Sequence, residues 1–145
     1  YGNKGDISRG ASPGNRFEPG KKPMSTMAPT IIFDENNELF LITGSPGGSD
    51  IPAAILRVIT GVIDFDLDIG EATMLPRIHK DWPYVGLEHE RAVSRDIVRR
   101  LKSMGHKTEY ENTIGSTQSI HVINGTNYGF ADLRRPNAGV SVQTN

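Results

Sequence analysis

Leu39-Phe40-Leu41-Ile42-Thr43-Gly44-Ser45-Pro46-Gly47-Gly48-Ser49-Asp50 decides the fold, because a β-rich run, a glycine loop and a helix start follow one another without a break. Upstream, Thr30 to Phe33 is a second β-rich run, separated from Leu39 to Thr43 by the turn-favouring Asp34-Glu35-Asn36-Asn37-Glu38, so an antiparallel hairpin of two buried strands is expected. Downstream, Ser49 reads as an N-cap and Asp50 complements the helix dipole. Ile51, Ile55, Val58, Ile59 and Val62 then form one apolar stripe, which predicts a helix to about Asp64. Asp68 and Glu71 have capping-box spacing and Pro76 stops the chain soon after, so the second helix is short. Ser94 caps a third, with Ile97, Leu101 and Met104 on one side and Gly105 at its end. Ser119 to Ile123 and Asn127 to Ala131 predict a second hairpin around Asn124-Gly125, with a loop longer than a two-residue turn. The order β-β-α-α-α-β-β, with helices inserted between clustered strands, argues an α+β fold.

The chain has 145 residues, one domain's worth, and its 36% hydrophobic residues with 16 glycines are those of a globular protein. Residues 1–23, with five glycines and three prolines, read as loop and linker, 24–135 as the core part, and 136–145 as a polar tail. A net charge of −1 lacks the basic excess that nucleic acid demands, and Arg99-Arg100 and Arg134-Arg135 read as solvated pairs. No apolar run approaches the roughly 20 residues that span a bilayer. With no cysteine, disulfides, thiolate metal sites and cysteine nucleophiles are excluded. The chain starts at Tyr1 without an initiator Met or an apolar signal region, so a processed or trimmed piece is expected.

Gly44-Ser45-Pro46-Gly47-Gly48-Ser49-Asp50 lacks the Gly-Lys-Ser/Thr ending of a nucleotide-binding P-loop. Its glycines either cradle an anion or developing oxyanion at a helix start, or simply make a tight strand-to-helix turn. The neighbouring hydroxyls of Ser25 and Thr26, bracketed by Pro23 and Pro29, either grip a carboxylate or shape a turn. His79, His89, His106 and His121 show no His-Glu-x-x-His or i, i+4 pairing, so no metal site is expected and each reads as structural or exposed. Pro76-Arg77-Ile78-His79 with Trp82 is explained equally by a buried Trp with hydrogen-bonded neighbours and by catalysis.

Taken together, Lys22-Pro23-Met24-Ser25-Thr26-Met27-Ala28-Pro29-Thr30, Gly44-Ser45-Pro46-Gly47-Gly48, Glu71-Ala72, Pro76-Arg77-Ile78-His79 with Trp82, and Gly115-Ser116-Thr117-Gln118 closely resemble, in order and spacing, the small subunit of γ-glutamyltranspeptidases. The resemblance runs from about Glu18 to Arg135 and implies part of an N-terminal nucleophile hydrolase, a four-layer αββα sandwich shared between two subunits that arise by self-cleavage of a zymogen. It implies cleavage of γ-glutamyl amides such as glutathione through a threonine acyl-enzyme, with transfer to water, amino acids or peptides, no cofactor, and a periplasmic or extracellular location. By the same resemblance, Gly47 and Gly48 form the oxyanion hole, Ser25 and Thr26 bind the substrate α-carboxylate with Thr26 standing where the family has a second serine, and Tyr1 belongs to a lid. The resemblance also implies that the nucleophilic threonine and the ligands of the substrate amino group lie upstream of the lid, outside this chain, and Tyr1 does not stand in for that threonine because it lacks the aliphatic hydroxyl that its own α-amine would activate. The chain alone is therefore expected to be inactive, with the large subunit and the upstream part of the small subunit as partners. The rival readings are a related acylase or poly-γ-glutamate-processing enzyme, and a non-catalytic binding domain of the same fold.

Overall fold

Residues 18–22, 25–81, 86–141 and 143 are described by a computed structural model. Tyr1, Gly2, Pro23, Met24 and Trp82 lie outside them. The expected first hairpin forms from Thr30–Phe33 (β1) and Leu39–Gly44 (β2), paired antiparallel with Thr30 opposite Thr43 and an irregularity at Ile32/Phe33. Its turn is closed by Asp34, whose Oδ1 accepts from the N–H groups of Asn36 and Glu38, while Asn37 takes the left-handed conformation at φ 63°. β1 is not buried as expected: it is an edge strand of alternating exposure, with Ile31 and Phe33 turned out.

The helix after β2 spans Ile51–Asp64 (α1), but Ser49 does not cap it. A 3₁₀ turn at Gly48–Asp50 leads directly into it, Asp50 occupies the N-cap without a side-chain bond, and Pro52 fits the first turn, where a missing N–H costs nothing. Ile69–Met74 (α2) starts with the expected capping box: Asp68 accepts from the Glu71 N–H and Glu71 accepts from the Asp68 N–H. The expected second hairpin is Gln118–Ile123 (β6) with Thr126–Ala131 (β7), by the chain-order numbering that counts the three strands of the second sheet below. Its connection is shorter than expected, because Ile123 pairs with Thr126 and leaves only Asn124 and Gly125, both at positive φ as a type I′ turn requires.

These strands form one antiparallel sheet in the order β1-β2-β6-β7, with α1 and α2 on one face. Leu41, Val58, Val62, Ile69 and Ala72 are the buried centre of that contact, flanked by Ile32, Ile59, Leu67 and Phe130. On the other face Ile31, Ile42, Ile120 and Gly129 are direct partners across the four strands, and Ile31 and Ile120 remain exposed. The tail is not wholly polar surface either, since Val140 lies over Gly129, where a Cβ would come within 2.9 Å of it.

A second sheet was not foreseen. Ile78–His79 (β3) pairs antiparallel with Gly86–His89 (β4), and β4 runs parallel to Lys107–Tyr110 (β5), with Arg95–Ser103 (α3) as the crossover between them. These strands are two to four residues long and charged, so they carry no apolar alternation to read. Ser94 caps α3 as expected, accepting from the Ile97 N–H, but Ile97 and Met104 face solvent and no residue of the helix is fully buried.

Leu41 has no solvent exposure and meets both helices of the core. Leu41→Ala is expected to cost about 2–5 kcal/mol, read as a lower denaturation midpoint with an unchanged m-value.

Candidate active site

The strand register brings the motif segments to one end of the main sheet. Thr30 pairs with Thr43, Gly44 with Gln118, and Gln118 with Ala131. The segment holding Ser25 and Thr26, the loop 45–48, the segment 113–117 and the segment 132–134 therefore all leave the sheet at the same edge.

The glycine loop is held from one side by the 113–117 segment. Ser45 Oγ donates to the Pro46 carbonyl at 2.7 Å and accepts from the Ser116 N–H at 2.9 Å. Gly115, at φ 65°, passes so close that a Cβ there would lie 2.6 Å from the Ala54 Cβ and 2.9 Å from Ser45 Oγ. Gly47 and Gly48 take φ 143° and 62°, conformations an L side chain rarely adopts. The Asp50 N–H donates back to the Gly47 carbonyl at 3.2 Å, and among the described residues neither the Gly47 nor the Gly48 N–H has an acceptor. Two free N–H groups at the start of a helical turn are suited to receive an anionic oxygen. Ser25 is exposed, its Oγ accepting from the Met27 N–H at 3.2 Å, and Thr26 is half-buried. The Tyr1 assignment falls outside the described residues.

Beneath this edge lies a buried four-charge cluster. The Arg77 guanidinium, 1% exposed, donates to the Ile114 carbonyl at 2.8 Å, the Thr73 carbonyl at 3.0 Å, Thr117 Oγ1 at 3.1 Å and Asp132 Oδ2 at 2.8 Å. Asp132 also accepts from the N–H groups of Thr117 and Arg134. Glu90 accepts from the Arg77 and Ile114 N–H groups and takes two bonds of 2.7 Å from Arg134. Arg134 is thus not a solvated charge, as its place beside Arg135 suggested. Its guanidinium also reaches the Thr73 and Leu75 carbonyls. Nothing in the isolated Arg-Arg pair distinguished the two residues; Asp132 two positions earlier was the available signal.

Burial by itself would raise the carboxyl pKa of both acids. For Asp132 it is outweighed by the Arg134 N–H, the Arg77 charge and the Thr117 N–H, and for Glu90 by the Arg134 side chain and the Arg77 and Ile114 N–H groups, so both lie below the usual carboxylate range. Burial and the Arg134 charge press the Arg77 pKa downward, but a guanidinium starts high enough to stay protonated.

A second polar group was not read from the sequence. Asp50, His79 and Glu88 come together beside the glycine loop, with their ligand-type atoms all within 4.8 Å of one another. Sequence spacing could not show it, since His79 and Glu88 meet only because they are partners across β3 and β4.

The family profile described as gamma-glutamyltranspeptidase matches residues 2–142. The chain is 40% identical over 121 residues to the glutathione hydrolase proenzyme of Escherichia coli K12, covering 83% of this chain and 21% of that protein. Against the glutathione hydrolase proenzyme of Bacillus subtilis 168 it is 35% identical over 131 residues, covering 88% and 22%. It thus spans about a fifth of the length of these curated relatives. The structure of the Helicobacter pylori gamma-glutamyltranspeptidase T380A mutant superposes with a TM-score of 0.81 at 36% identity, covering 86% of this chain and 69% of that one.

Asp132→Asn leaves Arg77 buried without its counter-charge and is expected to destabilise the protein by about 3–5 kcal/mol. Because the native pKa values of Asp132 and Glu90 are depressed, their contribution is full above the unfolded carboxylate range and is lost as pH falls through the native values. Denaturation between neutral pH and pH ~3 should show this acid-side loss in the parent protein and a shallower one in Asp132→Asn.

Proposed function

Because the chain belongs to the gamma-glutamyltranspeptidase family, with the α+β fold of its N-terminal nucleophile hydrolases, we propose that it supplies the oxyanion cradle and the substrate-carboxylate clamp of an enzyme that cleaves γ-glutamyl amides. Glutathione-like amides are the donors, and water, amino acids or peptides take the γ-glutamyl group. The observation that carries this reading is the pair of Gly47 and Gly48 N–H groups without an acceptor among the described residues, at the same end of the sheet as the segment bearing Ser25 and Thr26.

In the proposed reaction a threonine hydroxyl from outside this chain attacks the γ-carbonyl while its own α-amine takes the hydroxyl proton, the carbonyl oxygen takes up negative charge as the tetrahedral species forms, and collapse of that species breaks the amide C–N bond and releases the amine with the proton. Gly47 and Gly48 stabilise that charge with donors fixed in advance by the Ser45 to Ser116 bond, so little reorganisation is needed at the moment of reaction. Ser25 and Thr26 donate to the α-carboxylate and hold the γ-carbonyl over the cradle. The remainder of the small subunit and the large subunit are the proposed partners. The sheet face on which Ile31 and Ile120 are exposed, with half-buried Ile42 between them, offers them an apolar layer to cover. The family likeness supports a periplasmic or extracellular enzyme, and no helix among the described residues is long and apolar enough to cross a membrane.

Gly48→Val, in the complete enzyme, is expected to lower kcat by about 100- to 1,000-fold with a smaller change in KM. A Cβ there meets open space, so the damage comes from the positive φ that a β-branched residue resists, which turns the donors away. An unchanged kcat in a correctly processed enzyme would remove the oxyanion role.

Ser25→Ala with Thr26→Val is expected to weaken substrates bearing the α-carboxylate by roughly 1.5–3 kcal/mol per lost charge-assisted bond. A cycle of kcat/KM values for a γ-glutamyl anilide and its α-carboxamide counterpart, in parent and double variant, isolates that term. Equal losses on both substrates would make the hydroxyls turn-shaping groups only.

A further inference from the structure

Asp50, His79 and Glu88 come from three separate elements. Asp50 ends the 3₁₀ turn that follows Gly47, His79 lies in β3, and Glu88 stands opposite it in β4. Their side chains are largely but not wholly covered, and the ligand-type atoms converge within 4.8 Å. Among the described residues His79 Nε2 has no hydrogen-bond partner, it is buried, and it lies 3.7 Å from Asp50 Oδ1. That separation is too long for a hydrogen bond. It suits two ligands of one ion, since bonds of about 2.0–2.2 Å place neighbouring ligands roughly 3–4 Å apart.

The surrounding charge points the same way. Burial is the first cause raising the carboxyl pKa of both Asp50 and Glu88. After it, the His79 charge opposes the rise at Asp50 while Glu111 and Asp81 add to it, and at Glu88 the Asp50 charge adds to it ahead of the opposing His79, with Glu111 and Glu109 following. The contrast is with Glu90, two residues along the chain, whose burial is offset by an arginine. Here acidic groups gather round an orphaned imidazole nitrogen without a fixed cation.

We propose that Asp50, His79 and Glu88 bind a divalent transition-metal ion of borderline softness, Zn2+, with water completing its coordination. One imidazole nitrogen among carboxylate oxygens favours Zn2+ over Ca2+ and Mg2+, which prefer oxygen throughout. The role is structural. Asp50 directly follows Gly48-Ser49 and its N–H bonds the Gly47 carbonyl, so an ion shared with β3 and β4 anchors the glycine loop to the second sheet. The three ligand side chains are none of the groups assigned to the γ-glutamyl amide, so metal binding is tested apart from that reading.

The complete enzyme, stripped with a chelator, is titrated with Zn2+ by calorimetry and with Co2+ as a spectroscopic stand-in. The expected result is one saturable Zn2+ per copy of this chain, a raised Tm, and a visible Co2+ ligand-field band that shifts in His79→Gln. Asp50→Asn and Glu88→Gln should each weaken Zn2+ binding by at least about 100-fold. Glu88→Gln, on a short and half-buried strand position, keeps the test decisive should His79→Gln fail to fold. No saturable binding by the folded parent enzyme, or binding unaltered in both Asp50→Asn and Glu88→Gln, would overturn the site and leave an imidazole beside a carboxylate.

Discussion

The burial of the Arg77 guanidinium is the constraint on which the rest of the structure depends. A cation with 1% exposure needs partners inside the protein, and its two terminal nitrogens find them on three segments, at Thr73, at Ile114 and Thr117, and at Asp132, while Nε has none among the described residues. Each partner is in turn committed elsewhere, Asp132 to the Thr117 and Arg134 N–H groups and Arg134 to Glu90. The end of α2, the start of the second sheet, the 113–117 segment and the end of β7 are thereby fixed as one unit. A hydrophobic plug of equal volume would fill the space. It would not set the direction of four backbone segments, which is what directional bonds to carbonyl and N–H groups accomplish.

That unit transmits position to the glycine loop. The 113–117 segment is tied to Arg77 through the Ile114 carbonyl and Thr117 Oγ1, and its next contact outward is the Ser116 N–H on Ser45 Oγ. Only two side chains, Thr117 and Ser45, lie between the buried cation and the Gly47-Gly48 backbone. Gly115 is required in this relay because any Cβ would strike Ala54 and Ser45 and prise the two segments apart. The polar core and the glycine loop are thus parts of one arrangement, and the apolar core under Leu41 supplies the platform on which both stand.

Local chemistry made much of this legible in the sequence. The stripe from Ile51 to Val62 and the Asp68/Glu71 box act within one or two turns, and both appear in the structure as read. Asn124-Gly125 was rightly seen as a turn, but its length depended on which residues pair across the strands, a non-local matter. The second sheet escaped notice because Lys107–Tyr110 and Gly86–His89 are held by pairing and by the α3 crossover rather than by an apolar face. Arg134 was misread for a related reason. An arginine's burial is decided by the acids that surround it in space, and Glu90 lies 44 residues away. The glycine loop is legible because tolerance of positive φ belongs to glycine itself; the Asp50, His79 and Glu88 cluster is not, because it exists only once β3 has paired with β4.

Glu88 and Glu90, two residues apart, show how one strand end serves two electrostatic environments. Glu90 reaches into the arginine pair and its carboxyl titrates below the ordinary range, with Arg134 the leading stabiliser against burial. Glu88 turns toward Asp50 and His79, where burial and neighbouring acids raise its carboxyl. The difference is one of supply: the terminal guanidinium nitrogens of Arg77 and Arg134 are engaged by Glu90, Asp132 and backbone carbonyls. A chain of net charge −1 with its buried guanidinium groups so committed has to meet the remaining acidic crowding by protonation, by solvent or by a bound cation. Which of these operates beside Gly47 and Gly48 determines how firmly the start of α1 is held, and with it how rigid the backbone of the glycine loop is.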